Sequence, residues 1–273
     1  MQTVNITAYK FISFDVAELT DLRDHLDSLG QSLNLRGTIL LSREGINLSL
    51  AGKRQKIDDL KQTIAGDARL TDLVYKESFS DFVPFDRLLV KLRAEIITLR
   101  APGIDPESDA APSISAETLK KWLDEGRDIG LLDARNAYEV QLGTFRGADD
   151  LDMESFGDLP YRIEALDRLD RSKPVVTFCT GGIRCEKAAP FLYTQGFSTV
   201  YQLRGGILQY FKTCGDAHYD GECFVYDQRV ALTPRLEPSG ATLCQVCGAP
   251  VTAVERKAAT ETPGQQCPSC GDD

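Results

Sequence analysis

A short apolar run, Pro174–Phe178 (PVVTF), leads into Cys179-Thr180-Gly181-Gly182-Ile183-Arg184 and then into a helical pattern from Cys185 to Gln195, stopped by Gly196. A strand with no polar alternation is buried on both faces, and a helix directly after it must pack back on the sheet. That combination belongs to parallel α/β architecture. The flanking chain repeats the alternation. Ser115 can cap a helix bearing Leu119, Trp122 and Leu123, closed by Gly126. Ile129–Leu132 is a buried-type strand, Ser198–Leu203 is another, and Gly205-Gly206 opens a last helix. A parallel sheet covered on both faces is expected over 113–214.

The N-terminal hundred residues read differently. Residues 3–12 predict a strand, and Ala17–Leu29 a helix ending at Gly30. Gly37–Leu41 and Asn47–Leu50 form a hairpin pattern around Ser42-Arg43-Glu44-Gly45, and Gln55–Ile64 a second helix. Strand-like runs follow at Leu73–Phe79 and Leu88–Leu92. The order β-α-β-β-α-β predicts a split βαβ, ferredoxin-like sandwich over 1–100. Residues 101–112 (APGIDPESDAAP) have three prolines, three acidic side chains and no period, as a linker would. From about Gly215 the chain is turn-rich and ends in cysteines, a C-terminal extension over 215–273.

The chemistry concentrates at Cys179. Gly181 and Gly182 let successive main-chain N–H groups converge on the sulfur. The following helix N-terminus adds partial positive charge and Arg184 a full one. All three favour thiolate over thiol, which a nucleophilic or persulfide-carrying sulfur needs. A buried structural cysteine beside a turn is the bland alternative. Cys185 could resolve an oxidised or persulfurated Cys179 as a disulfide, or face the core and be inert. Asp133, Arg135 and Glu139 look like loop-fixing ion pairs rather than catalysts. His25 and His218 have no evident role as a base for the thiol.

Four residues separate Cys179 from Arg184. Phosphatase loops hold five, so a phosphatase is disfavoured, and the shorter loop resembles that of rhodanese domains. The segment CTGGIRCEKA (Cys179 to Ala188) resembles the active-site loop of the rhodanese-domain tRNA uridine hydroxylases. Further similar segments are Glu44-Gly45-Ile46-Asn47, the stretch from Asp133 to Glu139, Gly205-Gly206-Ile207, and the stretch from Cys223 to Arg229. Gly143-Thr144-Phe145 departs from the Gly-His-Phe of many rhodanese domains.

The resemblance implies an acylphosphatase-like N-terminal domain and a rhodanese-like domain over 113–214. It implies an oxidoreductase making 5-hydroxyuridine at the wobble position of tRNA, with molecular oxygen as co-substrate. The catalytic residues would be Cys179 and Arg184, in a loop formed with Thr180, Gly181, Gly182 and Ile183. A sulfurtransferase carrying a persulfide on Cys179 would share the same loop, and a non-catalytic adaptor would tolerate its loss.

Cys244-x-x-Cys247 and Cys267-x-x-Cys270 are 19 residues apart, the spacing of tetrahedral zinc sites. Gly248 and Gly271 follow each pair and Pro268 stiffens the second, so a zinc-ribbon-like tail is expected. A disordered tail with redox-active thiols or, less well, an iron–sulfur cluster are the alternatives.

The net charge of −10 is uneven: residues 1–100 hold 14 basic and 14 acidic side chains, and the remainder 17 and 27. DNA is not an expected partner, and any RNA must be gripped by local patches. Arg87 to Arg100 is either a solvated basic strand face or a phosphate-contacting one. Arg184, Lys187, Arg204 and Lys212 would extend positive potential to the loop mouth. Tyr210 and Phe211 would stack on a base or belong to the core.

No apolar run approaches the roughly 18 residues of a membrane span, and a signal-peptide pattern is missing. A cytoplasmic protein with unbridged thiols is expected. Gly181-Gly182 and Gly205-Gly206 lack dinucleotide-binding spacing.

Overall fold

The computed structural model describes residues 2–261 together with Cys267 and Cys270. The chain divides into two compact units, residues 1–98 and 99–273.

In the first unit, β1 (Thr3–Phe11), α1 (Val16–Ser32), β2 (Arg36–Ser42), β3 (Gly45–Gly52), α2 (Arg54–Ile64), β4 (Lys76–Ser80) and β5 (Leu88–Leu92) follow in order. The sheet runs β4-β1-β3-β2-β5. The first four strands are antiparallel, which is the ferredoxin-like plan, and β5 extends the edge parallel to β2. Alternate strand residues (Ile6 and Ala8, Ile39 and Leu41, Ile46, Leu48 and Leu50) meet Leu19, Leu26, Ile57 and Leu60 of the helices in one core.

Helix α1 begins with a capping box, Asp15 accepting from the Ala17 N–H and Glu18 accepting from the Asp15 N–H. It does not stop at Gly30. Gly30 is buried where an added Cβ would lie 2.6 Å from the Leu88 side chain, so the glycine brings α1 close to β5. The left-handed turn is made by Asn34 (φ 53°) instead. The run predicted as a strand from Leu73 starts at Lys76, and Leu70 and Leu73 are buried in the turn before it.

The second unit holds β6 (Ser113–Ile114), α3 (Ala116–Asp124), β7 (Gly130–Asp133), α4 (Ala137–Val140), β8 (Gly143–Phe145), β9 (Asp149–Asp150), β10 (Val175–Phe178), α5 (Cys185–Thr194), β11 (Val200–Leu203) and α6 (Gly206–Cys214). The sheet order is β6-β11-β10-β7-β9, and every pairing is parallel. All four residues of β10 are buried, as a central strand between two covered faces requires. Val176 and Phe178 share a core with Ile207, Tyr210 and Phe211 of α6 and Leu119 of α3.

Residues 101–112 end docked on this unit, where Gln202 donates its side-chain amide to the Ala111 carbonyl (3.0 Å) and its main-chain N–H to that of Pro112 (3.0 Å). The chain after residue 214 is woven into the same core. Strand β12 (Tyr219–Gly221) pairs with β8, while β13 (Cys223–Phe224) pairs with β14 (Ala231–Leu232) as a hairpin. Tyr219 and Cys223 join the main cluster. Beyond them lie the small hairpin β15 (Thr242–Leu243) and β16 (Pro250–Val251), and α7 (Ala253–Glu261). Among the described residues, no helix is long and apolar enough to cross a membrane.

Gly206 ties the fold to the loop after β10. At φ 66°, a Cβ there would lie 2.3 Å from the Cys179 carbonyl oxygen and 2.7 Å from that of Thr180. Gly206→Ala is expected to cost more than the roughly 1–3 kcal/mol of left-handed strain alone. Gly126→Ala, at φ 62° with open space around it, should show only that strain. Urea-denaturation midpoints measure both.

Candidate active site

Cys179 stands at the C-terminal end of the central strand β10, where parallel sheets place their sites. The chain turns through Gly182 (φ 100°), whose N–H donates to the Cys179 sulfur at 3.1 Å. Helix α6 holds the loop from beneath. The Ile207 N–H donates to the Cys179 carbonyl (2.9 Å) and the Leu208 N–H to that of Thr180 (3.1 Å).

Cys179 is only 1% exposed. Burial by itself raises its pKa. The Cys185 thiol donating to it, the Arg184 charge and the Arg184 and Gly182 amides outweigh burial and bring it down to about 6. Burial and the neighbouring Cys179 push Cys185 well up, so it stays a thiol and serves as the donor. Cys185 is therefore buried, yet its thiol meets the Cys179 sulfur rather than inert core. Thr180, Gly181 and Ile183 form the half-buried rim, while Gly182 and Arg184 are buried.

Arg184 does not reach out of the loop. Its guanidinium lies bidentate on Glu139 (2.7 and 2.9 Å), and both side chains are nearly inaccessible. Burial opposes the Glu139 charge, but Arg184 overrides it and holds the carboxyl below its ordinary range. Asp133 and Arg135 make a separate pair with both side chains at 0% exposure. Arg135 also donates to the Gly143 carbonyl (2.6 Å), and the Thr144 hydroxyl donates to Asp133 (2.7 Å). The expected loop-fixing role fits Asp133 and Arg135. Glu139 makes its own ion pair with Arg184, in the cysteine loop.

One contributor carried no signal in the sequence. Tyr226, in the turn of the β13–β14 hairpin, donates its hydroxyl to Glu139 (2.9 Å) and receives Arg184 at 3.3 Å. It could have been sought only within the stretch from Cys223 to Arg229, where nothing marks it out.

Other expectations fare differently. Tyr210 and Phe211 belong to the core, at 0% and 3% exposure, because α6 turns that face to the sheet. Arg184 and Lys187 are buried and add no positive surface, whereas Arg204 and Lys212 are exposed. The His218 ring pairs with Asp124 (2.7 Å). Cys223 is fully buried, which raises its thiol to about 12.

The sulfurs of Cys244, Cys247, Cys267 and Cys270 all lie within 4.8 Å of one another. Cys244 and Cys270 are 3.7 Å apart, and Cys247 and Cys267 are 3.6 Å apart. A tetrahedral ion with bonds of about 2.3 Å needs sulfurs about 3.8 Å apart, so this donor set could hold zinc. Gly248 (φ 75°) makes the tight turn after the first pair, its N–H on the Cys244 carbonyl (3.0 Å). Pro268 and Gly271, expected to shape the second turn, lie outside the described residues.

Residues 3–96 match the UPF0176 acylphosphatase like domain, and residues 115–213 match the Rhodanese-like domain. A tRNA uridine(34) hydroxylase of Ralstonia nicotianae is 49% identical over 277 residues, spanning 100% of this chain and 98% of that protein. The chain belongs to the tRNA uridine(34) hydroxylase family. Relatives of the same name from Cupriavidus pinatubonensis and Burkholderia mallei are each 47% identical, over 99% of this chain and 97% and 93% of theirs. The rhodanese-like match of this hydroxylase-family chain covers the whole cysteine loop together with Glu139, but ends before Tyr226.

Because the lowered pKa leaves a thiolate above about pH 6, the charge on Cys179 should vanish as pH falls through that value. The thiolate absorbance at 240 nm, taken as wild type minus Cys179→Ser, is expected to titrate near pH 6. A midpoint near the ordinary 8.5 of a free thiol would contradict the electrostatics described.

Proposed function

We propose that this chain hydroxylates the wobble uridine of tRNA at C5, using Cys179 as its nucleophile in the cytoplasm. Its end-to-end likeness to the hydroxylases supports this reading, joined to one observation: a cysteine thiolate stabilised at the end of a rhodanese-type strand. The anticodon region of tRNA is then the partner, and molecular oxygen the oxidant.

The thiolate adds to C6 of uracil, and the electron pair moves to C5, which becomes nucleophilic toward an oxygen species. One atom of dioxygen ends as the C5 hydroxyl. The other leaves as water, taking two electrons and two protons from an external two-electron reductant. Loss of the C5 proton and of the sulfur at C6 restores the ring and frees Cys179 unchanged.

Arg184 acts through Cys179 rather than on the base, since Glu139 occupies its guanidinium. Thr180, Gly181, Gly182 and Ile183 form the loop around the sulfur, and because Cys179 is 1% exposed it meets uracil only after its surroundings part. Cys185 supplies the S–H that keeps the thiolate ionised and would capture an oxidised Cys179 as a disulfide. The four C-terminal cysteines would hold a structural zinc ion, which would stiffen the β15–β16 region that these two short strands cannot stabilise alone.

Nucleoside mass spectrometry of tRNA from a deletion strain tests the reading. The wild-type gene should restore 5-hydroxyuridine and Cys179→Ala should not; its retention in the mutant would remove Cys179 from the chemistry. tRNA containing 5-fluorouridine should trap a covalent adduct that Cys179→Ser lacks. Cyanide turnover with thiosulfate, together with a sulfur-sized mass increment on Cys179, would favour the persulfide-carrying sulfurtransferase instead. For the metal, the purified chain is expected to hold one zinc per molecule by elemental analysis, and Cys267→Ser to hold much less.

A further inference from the structure

Tyr226 presents an inverted tyrosine. An exposed tyrosine ordinarily buries its ring and leaves its hydroxyl in water, because one end is apolar and the other polar. Here the residue is 56% exposed, while its hydroxyl is bonded inward. The oxygen donates to Glu139 Oε2 (2.9 Å), lies 3.0 Å from the Tyr138 hydroxyl, and receives Arg184 Nη2 and Asn136 Nδ2 at 3.3 Å each. One donor proton and two lone pairs are all that a hydroxyl has, so nothing remains to offer a ligand. With the hydroxyl so engaged, the ring is what the residue has left to present outward.

The ring is also held in place. Phe224, itself buried, meets it edge-on at 5.1 Å and 80°, and the Arg184 guanidinium lies 5.8 Å from its centroid. The turn that carries it is closed by the Val225 N–H on the Val230 carbonyl (2.8 Å) and by a buried Asp227–Arg229 ion pair. A rigid, outward aromatic face costs little ordering entropy when something flat settles on it. Its position matters equally. Arg184 bonds the Tyr226 hydroxyl through its side chain and the Cys179 sulfur through its main-chain N–H, so one residue links ring and nucleophile.

We propose that the exposed ring of Tyr226 is a stacking surface for a pyrimidine of the RNA substrate, and so a binding residue of the hydroxylase site. This rests on the tRNA-hydroxylase reading given above. Stacking also suits the charge of the chain. Residues 101–273 carry 17 basic against 27 acidic side chains, and Arg184 and Lys187 are buried. A neutral aromatic contact adds affinity for a base without requiring positive charge.

The test compares Tyr226→Leu, which removes the ring, with Tyr226→Phe, which removes only the hydroxyl. Each is measured for binding to an unmodified tRNA with a wobble uridine, for the KM and kcat with which that uridine is hydroxylated, and for the 240 nm titration of Cys179. Thermal denaturation verifies folding. Tyr226→Leu should weaken tRNA binding and raise KM about 10-fold or more. Tyr226→Phe should keep tRNA binding and KM within about 3-fold, any loss falling on kcat because its hydroxyl bonds Glu139 and Arg184.

Tyr226→Leu binding tRNA like wild type would overturn the proposal. Equal losses in both variants, with a shifted Cys179 midpoint, would also overturn it and leave Tyr226 as a prop for Glu139 and Arg184. Wild type that binds tRNA through Tyr226 without making 5-hydroxyuridine would sink the hydroxylase reading and leave the stacking surface standing.

Discussion

A negative sulfur in a place that water hardly reaches exists only if the protein supplies what water would have supplied. At Cys179 the substitutes are a thiol hydrogen from Cys185, two main-chain amides and the Arg184 charge. Without them burial would return the group to a neutral thiol. Each donor is fixed by a different part of the fold. Gly182 supplies the left-handed turn, α5 starts at Cys185, and α6 pins the loop carbonyls. Moving any of these shifts the balance that keeps the sulfur ionised.

That arrangement brings buried charge with it, and the surrounding ion pairs are the consequence. Arg184 needs Glu139, and Asp133 with Arg135 brace the strand end and the chain around Gly143. Breaking a buried pair by removing one partner costs about 3–5 kcal/mol, whereas replacing both with packed apolar groups is often neutral. These pairs are therefore better explained as fixing one geometry around the sulfur than as sources of stability. The Tyr226 hydroxyl completes the set from a hairpin nearly ninety residues away from Glu139 in sequence.

Much of this is legible in the chain. Alternation in Thr3–Phe11 and Gly45–Gly52 marks a sheet with one face on helices, and the mostly apolar, non-alternating PVVTF marks a strand covered on both. The glycines around Cys179 and the paired C-x-x-C motifs announce their geometry, because tight turns and tetrahedral sulfurs demand particular local spacings. Gly30 shows where local signals mislead. A glycine late in a helix suggests a stop, but here it marks close packing on Leu88, a residue distant in sequence.

Periods, turns and the chemical identity of the reactive loop are written into the order of residues, since each depends on neighbours a few positions apart. Which charges pair and which faces are hidden came only with folding in three dimensions. Folding turned Arg184 and Lys187 inward, sent Tyr210 and Phe211 to the core, and placed the ring of Tyr226 outside with its hydroxyl inside. Burial and partner choice are properties of surfaces that meet only after the chain has folded, so no local pattern records them.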